Sequence, residues 1–323
     1  MRGTVVGVLR GGPSSEHEVS LATGHAILSH LPEDRYTARD IYIDKQGIWH
    51  EFGMPTAPER ILQTVDTVLI GLHGEYGEDG NVQKLLERYG VKYTGSDSFA
   101  SAVAMNKVLT KEKAREHGLL TPNYYFVETG GDIDTAAHYI TRNFSQPVIV
   151  KPVALGSSVG ISMVGGYAPV HAAITELLPF GGVLVEEMIR GTEATVGVVE
   201  HMRGEDLYVL PAIEIIPPPS ASFFDRDVKY NGMTEEIVPG RFSKTVSDEL
   251  ARHARVMHEA LGLRHYSRSD FIVSPRGIYF LETNTLPGLT AESLMPKSLE
   301  AVGVKFPDFL SHLIELSLDR AYT

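Results

Sequence analysis

Residues Arg268-Ser269-Asp270-Phe271-Ile272-Val273, Ser274-Pro275-Arg276-Gly277 and Ile278-Tyr279-Phe280-Leu281-Glu282-Thr283-Asn284 are two β-branched and aromatic runs on either side of a turn. The pattern predicts a β-hairpin. Pro275 suits the second position of a type I turn, and Gly277 can take the left-handed conformation that ends a three-residue loop. With Pro275-Arg276-Gly277 as the loop, Ser274 faces Ile278, Asp270 faces Glu282 and Arg268 faces Asn284. Opposed residues share a face, with Cβ atoms roughly 4.5–5.5 Å apart. That face carries two carboxylates, a carboxamide and a guanidinium. The other carries Phe271, Val273, Tyr279 and Leu281, with Ser269 and Thr283 at the ends. Two carboxylates so close repel unless a cation, a proton or an arginine lies between them. A surface ladder paired with lysines is one reading. The all-oxygen set of Asp270, Glu282 and Asn284 supports another, a site for Mg²⁺ and the phosphates it accompanies. Leu286-Pro287-Gly288-Leu289-Thr290 is then expected to open a helix whose N-terminal amides hold an anion.

Outward from the hairpin, the bulk numbers restrict the function. With 323 residues the chain can bury a large core in two or three lobes. A net charge of −12 argues against nucleic acid and anionic membrane as partners, while leaving room for a locally basic nucleotide cleft. There is no apolar run of the roughly 20 residues a membrane span needs. The first nine residues are too short and strand-like for a signal peptide. Zero cysteines exclude disulfides and thiolate chemistry, so a cytoplasmic location is expected.

In chain order, Thr4–Leu9 reads as a buried strand broken by Arg10-Gly11-Gly12-Pro13. Ser15-Glu16-His17-Glu18 then matches a capping box, with Ser15 as N-cap and Glu18 reaching back. Glu16, not needed by that cap, is the ligand candidate, and an acid there suits an amine. Strand, glycine turn and helix start a doubly wound α/β unit, in which ligands sit at strand C-termini. A second unit has strand 67–72, loop His73-Gly74-Glu75-Tyr76-Gly77-Glu78-Asp79-Gly80 and helix 82–89, capped by Asp79 or Asn81. His73 ends the strand and, taken alone, reads as a structural histidine. Residues 100–117 form one expected helix with Lys107, Lys111 and Lys113 on a solvated face. Lys151 closes the apolar run 148–150, so its ammonium is expected to emerge at a strand end. Gly156-Ser157-Ser158-Val159-Gly160 presents amides and hydroxyls without bulk, as a phosphate flap requires, or forms an ordinary hairpin. Glu186 and Glu187 end a strand and point to opposite faces. A strand is expected over 207–215. Residues 217–241, which include Lys229 and Tyr230, lack helix or strand periodicity and are long for a loop, as lids often are. A helix over 247–261 leads back to the hairpin.

Taken together, these stretches resemble the D-alanine–D-alanine ligases of the ATP-grasp superfamily. The resemblance rests on Gly11-Gly12-Pro13-Ser14-Ser15-Glu16-His17-Glu18-Val19-Ser20, His73-Gly74 with Gly77-Glu78-Asp79-Gly80, and Met105-Asn106-Lys107. It continues through Lys151-Pro152, Gly156–Gly160, Lys229-Tyr230, Arg268–Phe271 and Leu281–Thr290. It implies an α/β (α+β) ATP-grasp fold: a doubly wound N-terminal α/β domain over 1–98, a central lobe over 99–186, and a catalytic lobe over 187–323 with a lid near 217–241. The implied reaction phosphorylates one D-alanine with ATP, and a second D-alanine amine attacks the acyl phosphate.

The resemblance assigns roles by position. Asp270, Glu282 and Asn284 hold Mg²⁺ or Mn²⁺, with two ions expected. Lys107, Lys151, Ser158 and Lys229 meet the phosphates; Glu186 and the backbone of Glu187, Met188 and Ile189 hold adenine; Glu193 holds the ribose. Glu16 pairs with the first ammonium, with His73 nearby, and Ser157 and Tyr230 join Glu16 in closing the lid. Arg268 and the Gly288 amide stabilise the oxyanion, while Ser293 and the Leu294 amide meet the second carboxylate. A homodimer is also implied. Val153-Ala154-Leu155 is more apolar than the family's usual flap, and Glu187 replaces a frequent lysine. D-lactate-using relatives tend to place histidine in the lid region, so Tyr230 favours a dipeptide over a depsipeptide product. A related ligase using D-lactate, D-serine or another acceptor is the alternative, and a nucleotide-binding protein without turnover is a further one.

Overall fold

Three sheets follow one another along the chain in the computed structural model, which describes residues 3–154, 156, 160–218 and 234–319. The apolar run Thr4–Gly11 is an inner strand of the first, flanked in parallel by Tyr36–Ile43 on one side and Thr67–Ile70 on the other. The connections that follow Thr4–Gly11 and Thr67–Ile70 therefore run to opposite sides of the sheet, the arrangement that opens a crevice in doubly wound sheets. Into it project the two glycine-rich loops, tied where the Ser14 hydroxyl donates to the His73 carbonyl at 2.8 Å.

The second sheet is antiparallel, in the order Tyr124–Val127, Val183–Glu187, Val148–Pro152, Ser162–Val164. Strand alternation explains its two faces. Val148, Val150, Val183 and Val185 bury against helices Ile133–Asn143 and Tyr167–Leu177. Ile149, Lys151 and Glu186 turn the other way, toward a cleft. The third sheet runs Glu235–Ile237, Ile213–Ile216, Thr192–Glu200, Tyr266–Ser274, Gly277–Asn284, with Leu207–Val209 also paired to Thr192–Glu200. Helix Lys244–Ala260 and the helices Ser98–Met105 and Lys107–Glu116 pack on it.

The hairpin has the expected Asp270–Glu282 and Arg268–Asn284 pairs, but a different loop. Ser274 pairs with Gly277, so the loop is the two residues Pro275-Arg276. A β-bulge between Asp270 and Phe271 then shifts the register by one, and Phe271 pairs with Phe280. Loop and bulge errors cancel at the carboxylates. The bulge puts Phe280, not Leu281, beside Phe271 in the core, with rings 5.9 Å apart at 64°. Leu281 is left to face the cleft beside Glu282.

Other expectations are corrected by tertiary contacts. Glu18 does not cap; its side chain is exposed and pairs with Lys45 at 3.3 Å, while the Ser15 hydroxyl donates to Glu75. Gly80, with φ 89°, is the residue before helix Asn81–Arg88, and the Asp79 carboxylate accepts from the Asn81 amide. The helix expected over 100–117 breaks at Asn106, whose side chain accepts from the Val108 and Leu109 amides. Lys107 and Lys111 are buried, not solvated, because both find carboxylates; Lys113 is surface-paired with Glu116. Pro211 and its neighbours split the strand expected over 207–215. Glu235–Ile237 forms a strand within 217–241. The helix expected over 247–261 starts earlier, at Lys244, capped by Ser243. Leu286–Thr290 opens no helix; the next one is Leu294–Ala301, with Ser293 at its N-cap.

Candidate active site

A cleft of about 810 Å³ lies between the second and third sheets. Ile149, Ile161, Met163, Ile272 and Leu281 give it apolar walls, and ten expected site residues line it: Lys151, Glu186, Glu187, Met188, Ile189, Glu193, Arg268, Asp270, Glu282 and Leu294. Two others join through contacts. Lys107 Nζ lies 3.3 Å from a Glu282 oxygen. The Asn284 amide donates to Asp270 Oδ2 at 3.1 Å.

Asp270 is the most constrained of these. Arg268 donates from Nε and Nη2 to its two oxygens, both at 3.1 Å, and Thr195 Oγ1 donates at 2.5 Å. The facing carboxylates thus have a cation each, Arg268 on Asp270 and Lys107 on Glu282. Burial opposes the charge on Arg268, but Asp270 outweighs it and raises the guanidinium pKa. Among the described residues no three His, Cys, Asp or Glu side chains converge as a metal site. Two carboxylates and a carboxamide still form a hard oxygen set. That set fits Mg²⁺, an ion that keeps waters and phosphate oxygens in its shell.

At the base of the cleft Glu186 is held on both oxygens, by Lys111 at 2.6 Å and Lys151 at 2.9 Å. Burial alone would raise the Glu186 pKa; the two ammonium groups reverse this and lower it. Lys111 is fully buried, and desolvation pushes it down to about 8 against the opposing pull of Glu186. Sequence reading missed this lysine. Its signal was the four-residue spacing from Lys107, which puts the two on one helical face.

Glu16 is buried beside the two glycine loops. A Cβ placed on Gly156 would lie 2.4 Å from Glu16 Oε2, and one on Gly74 2.9 Å. Glycine at both positions leaves the carboxylate its room. His73 is also buried, with Nε2 2.7 Å from Thr23 Oγ1 and Nδ1 2.9 Å from the Leu286 carbonyl. It joins the 73–80 loop to the segment carrying Gly288. A Cβ on Gly288 would lie 2.8 Å from Ser293 Oγ, which also contacts Thr290 Oγ1 at 2.8 Å. Ser157, Ser158, Lys229 and Tyr230 lie outside the described residues.

Two further groups went unread in the sequence. Arg241 clamps Glu214 at the cleft wall through Nε at 2.9 Å and Nη2 at 3.0 Å, a pairing no local pattern announces. Glu78 accepts from the Gly74 amide at 2.9 Å and the Leu286 amide at 3.2 Å. Burial, helped by the nearby Glu16 charge, pushes its pKa up to about 7. A folded pKa above the unfolded one favours the protonated form. The stabilisation is therefore complete below about pH 4.5 and lost as pH rises through about 7. Melting curves across this window should show the wild type losing stability relative to Glu78→Gln as pH increases. Parallel pH profiles for the two proteins would contradict it.

Known proteins resemble this chain over nearly its whole length. The family model described as D-ala D-ala ligase N-terminus matches residues 5–59 and 53–96, and the one described as D-ala D-ala ligase C-terminus matches 114–315. The D-alanine–D-alanine ligase of Syntrophobacter fumaroxidans is 38% identical over 318 residues, covering 97% of each chain. That of Geotalea uraniireducens is 40% identical over 312 residues, covering 96% of this chain and 94% of its own. The crystal structure of the Bacillus anthracis D-alanine–D-alanine ligase complexed with ATP superposes with a TM-score of 0.80 at 28% identity, covering 98% of each chain. A D-Ala:D-Ser ligase from Enterococcus faecalis gives 0.85 at 29% identity, covering 98% of this chain and all of that one.

Proposed function

Because the chain belongs to the D-alanine–D-alanine ligase family, it is an ATP-grasp enzyme that joins two D-alanines with release of ADP and phosphate, and we propose how its residues divide that reaction. The dipeptide's use in peptidoglycan synthesis fits the family. In the proposed arrangement adenine enters between the apolar walls and is held by Glu186 and the backbone of Glu187, Met188 and Ile189, with the ribose on Glu193. Lys107 and Lys151, joined by Ser158 and Lys229, bear the phosphates. Asp270, Glu282 and Asn284 would hold Mg²⁺ or Mn²⁺, as two ions. When bound, the metal neutralises charge between the phosphates and the reacting carboxylate.

Glu16 orients the first D-alanine through its ammonium, placing the carboxylate toward the γ-phosphate. The carboxylate oxygen takes the phosphoryl group, and the acyl phosphate carbon is then open to the second amine. The second D-alanine's ammonium loses a proton to solvent, freeing the nitrogen electron pair that attacks the acyl carbon. The carbon–oxygen bond to phosphate then breaks, and phosphate departs as the nitrogen gives up its second proton. Arg268 and the Gly288 amide bear the charge of the tetrahedral oxyanion; one such donor is typically worth about 2.7–4 kcal/mol. Ser293 and the Leu294 amide hold the second carboxylate, and His73 keeps their loop against the first substrate's loop. Ser157 and Tyr230, with Glu16, exclude water.

The observation that carries this reading is the facing of Asp270 and Glu282 across the cleft from Lys151, with Arg268 bonded to Asp270. Purified protein given ATP, Mg²⁺ and D-alanine should yield ADP, phosphate and D-alanyl-D-alanine in equal amounts. AMP as product, or phosphate release independent of D-alanine, would refute it. Mass spectrometry with a panel of D-amino and D-hydroxy acids reads the acceptor. We also propose lobes spanning 1–98, 99–186 and 187–323, a homodimer, and a cytoplasmic site of action. Light scattering against the 35.4 kDa chain mass tests the dimer.

A further inference from the structure

We infer that Lys111 is a positioning residue that acts as the standing counter-ion of Glu186, keeping that carboxylate aimed at the base while Lys151 turns to the phosphates. The inference rests on the proposed adenine site. One carboxylate here has two lysines, and their surroundings differ. Lys111 is fully buried, does not line the cleft, and is anchored by donating to Thr121 Oγ1 at 2.8 Å. Lys151 lines the cleft and reaches the other Glu186 oxygen at 2.9 Å. Glu186 is only 3% exposed. A buried carboxylate that loses its only partner is strongly destabilised. If Lys151 were that only partner, drawing it toward a nucleotide phosphate would leave Glu186 uncompensated. Lys111 removes the conflict, because its ammonium at 2.6 Å stays when Lys151 departs.

The pairing also has a consequence for base choice. A carboxylate only accepts hydrogen bonds, so an ionised Glu186 welcomes the 6-amino group of adenine and repels the 6-oxo group of hypoxanthine. A carboxamide can turn to suit either. Selection between ATP and inosine triphosphate therefore reports whether Glu186 is charged and in place, which a merely structural lysine would not affect.

The test compares steady-state kinetics of wild type, Lys111→Met, Glu186→Gln and the double variant with ATP and with inosine triphosphate, alongside melting temperatures. Lys111→Met should raise KM for ATP about tenfold or more, the worth of one charge-assisted hydrogen bond. The KM for D-alanine should move little, and the preference for ATP over inosine triphosphate should fall. Adding Glu186→Gln should recover melting temperature lost in Lys111→Met, since it removes the stranded charge, and it keeps the test open if Lys111→Met alone fails to fold. A folded Lys111→Met with wild-type base preference and KM for ATP overturns the inference. If Glu186→Gln alone keeps the wild-type preference, the adenine site itself is wrong and the inference falls with it. If Glu186→Gln loses the preference while Lys111→Met keeps it, only the role of Lys111 is refuted.

Discussion

Arg268→Met is expected to lower kcat/KM for dipeptide formation by about two to three orders of magnitude, with the fold retained. The magnitude is that of removing one preorganised donor from a developing oxyanion. Arg268 is held ready for that role, since it is 8% exposed and two parallel bonds to Asp270 hold its guanidinium plane. Methionine fills a similar volume without the charge. Asp270 keeps its bonds from Thr195 and Asn284, so the hairpin should survive. Arg268→Lys should recover only part of the activity, because an ammonium cannot reproduce the planar fork. Kinetics with D-alanine, paired with circular dichroism melts, decide the matter. A methionine variant within tenfold of wild type would remove Arg268 from the chemistry.

Asp270→Asn is the second large effect, with kcat expected to drop by about a thousandfold and the Mg²⁺ concentration needed for half-maximal rate to rise. Asparagine is nearly isosteric, so the hairpin register should persist while one anionic oxygen donor is lost. Several kcal/mol of charge stabilisation are attributable to a catalytic metal, enough for a loss of this size. Titrating Mg²⁺ against rate separates the explanations. A lower rate with an unchanged Mg²⁺ requirement would show that Asp270 serves only to hold Arg268.

Much of the site was legible because its signals are local. Lys151 at the end of an apolar strand is a short-range reading, whereas Glu16 is singled out through a capping box that does not form, since Glu16 itself sits at the N-cap of helix His17–His30. The hairpin was also legible, though for a partly wrong reason: the two-residue loop and the bulge offset each other, preserving the Asp270–Glu282 pair. No turn rule reports a bulge that exists so that Phe271 and Phe280 can share a core. Helix placement failed in the same way at Leu286–Thr290, where Pro287 and Gly288 mark an irregular segment held by His73 and Glu78 from the other glycine loop.

Strands, glycine loops and the side chains able to bear charge near phosphate are set by the order of residues along the chain, since dihedral preference and period are properties of neighbours. Which charges are buried depends instead on the packing of distant segments. Lys111 and Lys113 look alike in sequence, two residues apart on one helix. Lys111 is sealed in the interior by Glu186 of a distant strand, whereas Lys113 stays at the surface with Glu116. Burying a charge requires a partner brought from elsewhere in the chain, and no local pattern contains that partner.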